Sequence, residues 1–471
     1  MPPIQNQLAE EHIAGMRRFF DAAPAPSAAA LSYRRQLAAH FNRMIPSGAS
    51  VLEIGCGGGE LLALLQGARK VGVDVSEVQL QRARTLLPSA EFHQQAGEAL
   101  DLAGTFDVIV VSDTLNFAAD VQGLLQHLRT VSTPDTRLLL NFHSNLWRPV
   151  LGLARVLGLS SPTPLSSWLS SSDVANMLDL ADWECVTHEH RLLCPVGLGG
   201  VGSLVNRLFA PLVPLLCLTD LMVARPRASE RRELSVSVVI PARNEAGNIE
   251  AAVRRTPAMG VWTELIFIEG HSRDNTWEEI QRVKAAYPHL RIKTLRQTGK
   301  GKGNAVREAF AAAEGDLLMI LDADLTMPPE ELPKFYEVVV SGRAEFANGV
   351  RLVYPMDEKA MQFLNLCANK TFGILFTWML GQSLKDTLCG TKVLTRAHYE
   401  RIAANRAYFG DFDPFGDFDL LFGAGRLNLK IADVPIRYRE RTYGSTNIQR
   451  WKHGWLLLRM VCFAARKLKF V

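Results

Sequence analysis

The sequence predicts two Rossmann-like α/β domains in tandem, each a largely parallel sheet covered by helices. Three observations predict it. Short apolar runs, long enough for strands and too short for helices, alternate with helix-length stretches in both halves. In each half such a run stops abruptly at a loop rich in glycine or acid: Val51 to Ile54 before Gly55, Gly57, Gly58 and Gly59, and Leu317 to Leu321 before Asp322 and Asp324. The carboxyl ends of strands are where open α/β sheets bind ligands. Between the halves, Arg225 to Glu233 is polar, charged and carries a proline, as a linker does. The expected organisation is a first domain over 1–226, a linker over 227–233, a second domain over 234–450 and a basic helix over 451–471.

Of the 471 residues 48% are hydrophobic and 21% charged, enough apolar material for large cores. Seven cysteines, an odd count, lie scattered with none in a Cys-x-x-Cys pair, so neither a zinc ribbon nor a disulfide framework is indicated and a reducing cytoplasm fits best. Met1 to Gln7 shows no basic region followed by an apolar core, so no secretory signal is expected. Charge is uneven. Residues 1–226 hold 16 Lys/Arg and 20 Asp/Glu, a net of −4, and residues 227–471 hold 36 and 28, a net of +8.

Residues 1–46 read as helical. A strand over Val51 to Ile54 then enters the glycine loop, and a helix begins near Glu60. Glycines there let a ligand approach the backbone closely. A second strand ends at Asp74, 21 residues after Glu53, where an acid can take both hydroxyls of a ribose. Glu53, Gly55, Gly57 and Gly59 with Asp74 resemble the class I S-adenosylmethionine-dependent methyltransferases. Phe106 to Asp113 and Arg137 to Phe142 are similar to that family's fourth and fifth strands, and Trp183 to Cys194 with Cys217 to Ala224 to its closing antiparallel pair. The resemblance implies a seven-stranded sheet and S-adenosyl-L-methionine as cofactor. It departs at Ala96, where the family has an Asp beside the adenine; Glu98 is the acid that could substitute. His143 and Asn145, after the fifth strand, are placed to face a methyl acceptor. Residues 201–219 are apolar but broken by Asn206, Arg207, Pro211 and Pro214, short of the ~20 uninterrupted residues a spanning helix needs. They read as an insertion between the last two strands, lying on a surface.

The second half brings four strand ends to one edge. Leu234 to Pro241 leads to Asn244 and Glu245; Leu265 to Glu269 leads to Asp274; Ile292 to Leu295 leads to a glycine loop with Lys300 and Lys302; and Leu317 to Leu321 leads to Asp322 and Asp324. Hard carboxylate oxygens two residues apart suit Mg²⁺ or Mn²⁺. The acids offer acceptors to a base and ribose, and the lysines offer charge to a diphosphate. These motifs in order, with Asp386 to Lys392, Ile431 to Arg441 and Gly444 to Asn447, resemble family 2 glycosyltransferases of the GT-A fold, with the look of dolichol- or polyprenyl-phosphate sugar synthases. The resemblance implies a nucleotide-sugar donor, a metal on Asp324 and Asp322, inversion at the anomeric carbon and a lipid-linked acceptor. It implies donor contacts from Pro241, Asn244, Glu245, Glu269, Asp274, Lys300, Lys302 and Asp322. The catalytic carboxylate falls at Asp419 or, two residues earlier, Asp417. Arg437, Arg439, Arg441 and Lys452 are candidates for an acceptor phosphate. An alternative reading keeps the transferase and makes the first half a non-catalytic cofactor-binding or docking module.

In the tail, Lys452, Arg459 and Arg466 recur every seven residues, one helical face, with apolar residues over the rest. The expectation is a helix on the inner face of the cell membrane that does not cross it. The basic residues alternate with Leu, Val and Phe rather than with stacking aromatics, so no nucleic acid is expected.

Overall fold

The computed structural model describes residues 3–156, 169–195, 200–228, 230–353, 363–406, 417–439, 441, 443 and 450–470. The chain divides into two compact units, Met1–Arg227 with Leu468–Val471, and Ala228–Lys467.

In the first unit seven strands form one sheet: β1 (Ser50–Ile54), β2 (Arg69–Asp74), β3 (Glu91–Gln94), β4 (Phe106–Ser112), β5 (Ser132–His143), β6 (Trp183–Arg191) and β7 (Thr219–Pro226), in the order β3-β2-β1-β4-β5-β7-β6. The first five pair in parallel, and β7 runs antiparallel to β5 and β6. Both faces are covered, so the central strands are apolar without alternation. Leu52, Ile54, Ile109 and Val111 enter one core; Val51, Val108, Val110 and Leu139 enter the other. The expected helix over the first residues is two helices, Pro3–Asp21 and Ala28–Met44. The 201–219 insertion holds the helix Val201–Leu208 and a short turn at Pro214–Leu216, between β6 and β7 as expected.

The second unit also has seven strands: β8 (Val236–Ala242), β9 (Thr263–Glu269), β10 (Arg291–Arg296), β11 (Leu317–Ile320), β12 (Phe346–Val350), β13 (Lys392–Thr395) and β14 (Ile431–Pro435), in the order β10-β9-β8-β11-β13-β12-β14. The four expected strands, β8 to β11, pair in parallel and carry their loops to one edge, β14 pairs in parallel with β12, and β13 runs antiparallel to β11 and β12. Sequence reading did not place β12 and β13. β12 contains Asn348 and Gly349, poor strand formers on their own. Tertiary contacts hold it: Asn348 Nδ2 donates to Asp433 Oδ1 (2.7 Å) and to the Asp386 carbonyl (3.0 Å).

The tail is helical as expected. The helix Arg450–Leu468 forms, but over its described side chains Met460, Val461, Ala464 and Ala465 are buried, while Arg459, Cys462 and Arg466 face out. Of the described apolar side chains these four are buried, whereas Leu458 is 43% exposed. Lys469 is 7% exposed. It belongs to the first unit, where it pairs with Glu189, and its carbonyl accepts from Arg191 (2.8 Å). The side chains of Trp451, Lys452 and Trp455 lie outside the described residues. Among the described residues no helix is long and apolar enough to cross a membrane.

A buried ion pair braces the second sheet behind its edge. Arg351 donates from Nε to Asp386 Oδ2 (2.7 Å) and from a terminal nitrogen to Oδ1 (2.9 Å), and Asn369 adds a bond (2.8 Å). Burial would raise the Asp386 carboxyl, but Arg351 outweighs it and brings it down to about 2. A folded-state value below the unfolded one stabilises the fold above the ordinary carboxylate range. That contribution, about 2 kcal/mol, is lost as pH falls from about 4 to about 2. Asp386→Ala should cost about 3–5 kcal/mol at pH 7, because it leaves Arg351 buried and unpaired, and much less near pH 2. Urea titrations at the two pH values measure this; an equal cost at both would contradict it.

Candidate active sites

At the carboxyl edge of the first sheet the glycine loop follows β1. Gly55, Gly57 and Gly59 have φ of 72°, 52° and 77°, where a side chain is strained. A Cβ on Gly55 would meet Thr114 Oγ1 at 2.4 Å, whereas one on Gly57 meets nothing within 4 Å, so the loop borders open space there. Asp74, at the end of β2, accepts from the Gly57 amide (2.8 Å) and the Ser76 amide (2.9 Å). It thereby fixes the loop and keeps further lone pairs on both oxygens. Glu53 is 2% exposed, and its Oε2 has no hydrogen-bond partner. Burial raises its carboxyl to about 8, against the pull of Arg34. An unpartnered buried acid below an open glycine loop fits an incoming polar donor.

Glu98 is turned elsewhere. It sits on the short turn Gly97–Ala99, and its Oε1 accepts from the Ala119 amide (2.8 Å). The N-terminal helix crosses the same edge. Arg17 donates to the Val75 carbonyl (3.1 Å), Ser76 Oγ donates to Asp21 (2.6 Å), and His12 Nε2 meets the Phe117 carbonyl (2.9 Å).

His143 closes a polar knot at the ends of β4, β5 and β7. Its Nε2 lies 3.8 Å from Asp113 Oδ1 and 3.5 Å from the Tyr33 hydroxyl. Tyr33 donates to Asp113 (3.3 Å) and is 3.2 Å from Thr219 Oγ1, and Asn141 Nδ2 donates to Asp113 (2.7 Å). Burial raises the Asp113 carboxyl despite His143, and burial with Asp113 raises Tyr33. Asp113 holds φ of 52°, a strained position for a non-glycine. Asn145, the other expected acceptor contact, is exposed. Sequence reading missed Tyr33, which comes from a helix far away in the chain. Asp113 had a signal: it is the polar end of an apolar strand.

The second site stands on the edge of β8, β9, β10 and β11. Asp322 pairs with Lys302 (2.6 Å). Burial opposes its charge, but Lys302, then Lys392 and Arg351, hold the carboxyl below its ordinary value. Gly390 allows this approach: a Cβ there would lie 2.1 Å from Asp322 Oδ2 and 2.5 Å from Lys302 Nζ. Asp324 accepts through Oδ1 from the Thr326 amide (3.1 Å) and hydroxyl (2.9 Å). Its Oδ2 binds Arg441 (2.5 Å), which also reaches Glu245 (3.0 Å). Arg441, expected at the acceptor, thus bridges the acids of two strand ends. Burial raises the Glu245 carboxyl, against Arg441.

The remaining expected donor contacts line the same loops. Glu269, 8% exposed, accepts from the Ser272 amide. Asp274 accepts from the Thr276 amide (3.1 Å) and lies 3.5 Å from the Tyr443 hydroxyl. Asn244 holds φ of 57° and accepts from the Arg273 amide (2.7 Å). Pro241 is half-buried near the end of β8, and Lys300 is exposed. Arg437 and Arg439 are exposed, and the Arg439 amide donates to the Thr326 carbonyl (2.9 Å), which sets this basic segment beside the Asp324 loop. Asp419 is 7% exposed, bound by Arg406 (2.8 Å) and 3.6 Å from Arg307. The Asp417 side chain and Gly444 to Asn447 lie outside the described residues. Arg351 and buried Lys392 were not foreseen; both act on Asp322 from behind.

Residues 30–188 match the family model described as a methyltransferase domain, and residues 237–403 match that of glycosyl transferase family 2. The chain is 37% identical over 226 residues to a dolichol-phosphate mannosyltransferase of Pyrococcus furiosus, covering 46% of this chain and 60% of that protein. It is 26% identical over 216 residues to an undecaprenyl-phosphate 4-deoxy-4-formamido-L-arabinose transferase of Pectobacterium carotovorum, covering 45% and 62%. The chain therefore spans less than two thirds of the length of these relatives. Among solved structures, the glucosyl-3-phosphoglycerate synthase of Mycobacterium tuberculosis shares 19% identity over 50% of this chain and 80% of that one, at a TM-score of 0.37. The magnesium protoporphyrin IX methyltransferase of Synechocystis PCC 6803 shares 18% over 47% and 98%, at 0.30. The strand orders and the two family models agree: the chain is a fusion of a methyltransferase domain with a family 2 glycosyltransferase domain.

Proposed function

We propose that the second domain transfers a sugar, with inversion, from a nucleotide sugar to a polyprenyl phosphate, and that the first transfers a methyl group. The observation that carries the first reading is the pair Asp322 and Asp324, each held at the sheet edge by a basic side chain, Lys302 or Arg441. The donor set fits a hard divalent cation, since both carboxylates have countercharges that can pass to phosphate oxygens. Bound at Asp324 and Asp322, Mg²⁺ or Mn²⁺ would supply Lewis acidity to the diphosphate leaving group. Glu245, Glu269 and Asp274 accept from the base and ribose, and Pro241 and Asn244 shape the turn that presents them. Lys300 and Lys302 stabilise the diphosphate as its bond to the anomeric carbon breaks. The acceptor oxygen forms the new bond from the opposite side.

Asp419 bears on the acceptor. Its carboxylate is engaged by Arg406 (2.8 Å) and lies 3.6 Å from Arg307, an arrangement that occupies it with arginines and favours an acceptor that needs no base. A phosphate is such an acceptor, and Arg437 and Arg439 would supply its cations. Asp419 then positions arginines rather than reacting, and Asp417 is the remaining carboxylate candidate. A lipid-borne phosphate would bring the enzyme to the inner face of the cell membrane.

For the first domain, S-adenosyl-L-methionine supplies an electrophilic methyl group. Glu53, Asp74 and the loop of Gly55, Gly57 and Gly59 would hold it, the N-terminal helix would exclude water, and His143, oriented by Asp113, would take the acceptor's proton. A second reading, a docking module without turnover, is favoured by Ala96 together with the turning of Glu98 towards Ala119.

Asp324→Asn should cut release of nucleoside diphosphate from a panel of nucleotide sugars by at least about 10²-fold, as loss of a group stabilising transition-state charge does. EDTA should do the same reversibly. Full activity in either case contradicts the metal assignment. Gly57→Arg should abolish the thermal shift given by S-adenosylhomocysteine, whereas His143→Ala should keep the shift and lower methyl transfer. A wild-type chain that shows the shift but transfers no methyl group to any lipid or glycan acceptor tested would favour the docking module.

A further inference from the structure

The first unit carries an apolar surface that its own folding does not cover. The helix Val201–Leu208 turns Val201, Leu204 and Leu208 outward on one face. Its inward residues are Gly202 and Asn206. Asn206 is 7% exposed, accepts from the Cys194 amide (2.7 Å) and donates to the Cys194 carbonyl (2.6 Å) and Gln36 (2.5 Å). A surface helix in water has the opposite polarity. Beyond it Leu212 is 62% exposed and Leu215 77%. On the segment after β5, Val150 and Leu153 are exposed as well. Trp147 Nε1 donates to the Leu216 carbonyl (2.9 Å), which joins the two segments into one patch. Single exposed apolar residues need no explanation, but a contiguous set does.

Its charge has one sign. Residues 144–172 and 192–219 contain no Asp, Glu or Lys; Arg148, Arg155 and Arg207 are their only charges. The half that contains them is acidic overall, with 20 Asp/Glu against 16 Lys/Arg.

We propose that this patch seats the methyltransferase domain at the headgroup–acyl boundary of an anionic bilayer. An outward apolar helix face with arginines and no acid is the composition of a helix lying in such an interface. A second copy of the chain complements it poorly, because it would bring the same arginines and no acid to meet them. The position matters for chemistry. The Ser144 amide donates to the Leu218 carbonyl (2.7 Å), so the two segments that carry the patch leave the sheet next to His143 and Thr219, two members of the polar knot. An acceptor lodged in the bilayer would enter beside His143. The docking itself does not depend on methyl turnover.

The test is flotation of the full chain with vesicles of phosphatidylcholine alone or mixed with phosphatidylglycerol. The wild type should float with the mixed vesicles and less with neutral ones. The double substitution Leu212→Glu with Leu215→Glu should reduce flotation by about tenfold or more. A milder Leu212→Ser with Leu215→Ser pair guards against misfolding; it should float less than the wild type while keeping the wild-type melting temperature and response to S-adenosylhomocysteine. Arg459→Ala with Arg466→Ala, on the C-terminal helix, should float like the wild type. No flotation of the wild type, or equal flotation of the folded patch variants, overturns the proposal. So does a lipid-free wild-type dimer that the patch variants convert to monomer, since a second copy would then cover the surface.

Discussion

The pairing of strand-end carboxylates with cationic side chains is the constraint on which the second site depends. Asp322 and Asp324 leave a buried strand at the sheet edge, and each meets a cation there. Lys302 meets one and Arg441 the other, and each partner comes from a different loop of the same edge. The pairs therefore fix the glycine loop after β10 and the basic segment after β14 against β11. Arg351 and Lys392 extend the positive field behind Asp322. A fold that concentrates cations and acids in this way is prepared for a ligand that is itself both phosphate and metal.

The first site solves the same problem differently. Asp74 accepts from backbone amides rather than from a cation, and burial raises the Glu53 carboxyl to about 8. That suits a ligand carrying positive charge and hydroxyl donors. The two halves share a sheet architecture but differ in what stands at the strand ends, and the chemistry follows from those ends and not from the sheets.

Much of this was legible in the sequence because it is local. The central parallel strands of both sheets, such as Val51 to Ile54 and Leu317 to Leu321, are short apolar runs, and their loops begin with Gly or Asp. What was not legible is tertiary. β12 reads as Phe-Ala-Asn-Gly-Val and becomes a strand because Asn348 finds Asp433 and Asp386. Arg441 reads as one more basic residue in a basic segment, and only the packing of that segment on Thr326 brings it to Asp324. Tyr33 reaches Asp113 across 80 positions. The C-terminal helix shows the same limit: its pattern marks an apolar face, but whether such a face meets lipid or protein depends on what else the fold offers it. The insertion at 201–219 has a comparable composition, and its apolar face is the one left outside.

The central claim is that Asp322 and Asp324 exchange their side-chain cations for a metal and a diphosphate. Anomalous diffraction at the manganese edge, from crystals grown with Mn²⁺ and a nucleoside diphosphate, tests it most directly. The account predicts a peak about 2.0–2.6 Å from an Asp324 carboxylate oxygen, with Arg441 released from Asp324 and Lys302 moved onto phosphate. A peak at another site, or a diphosphate bound while both ion pairs persist, would contradict it.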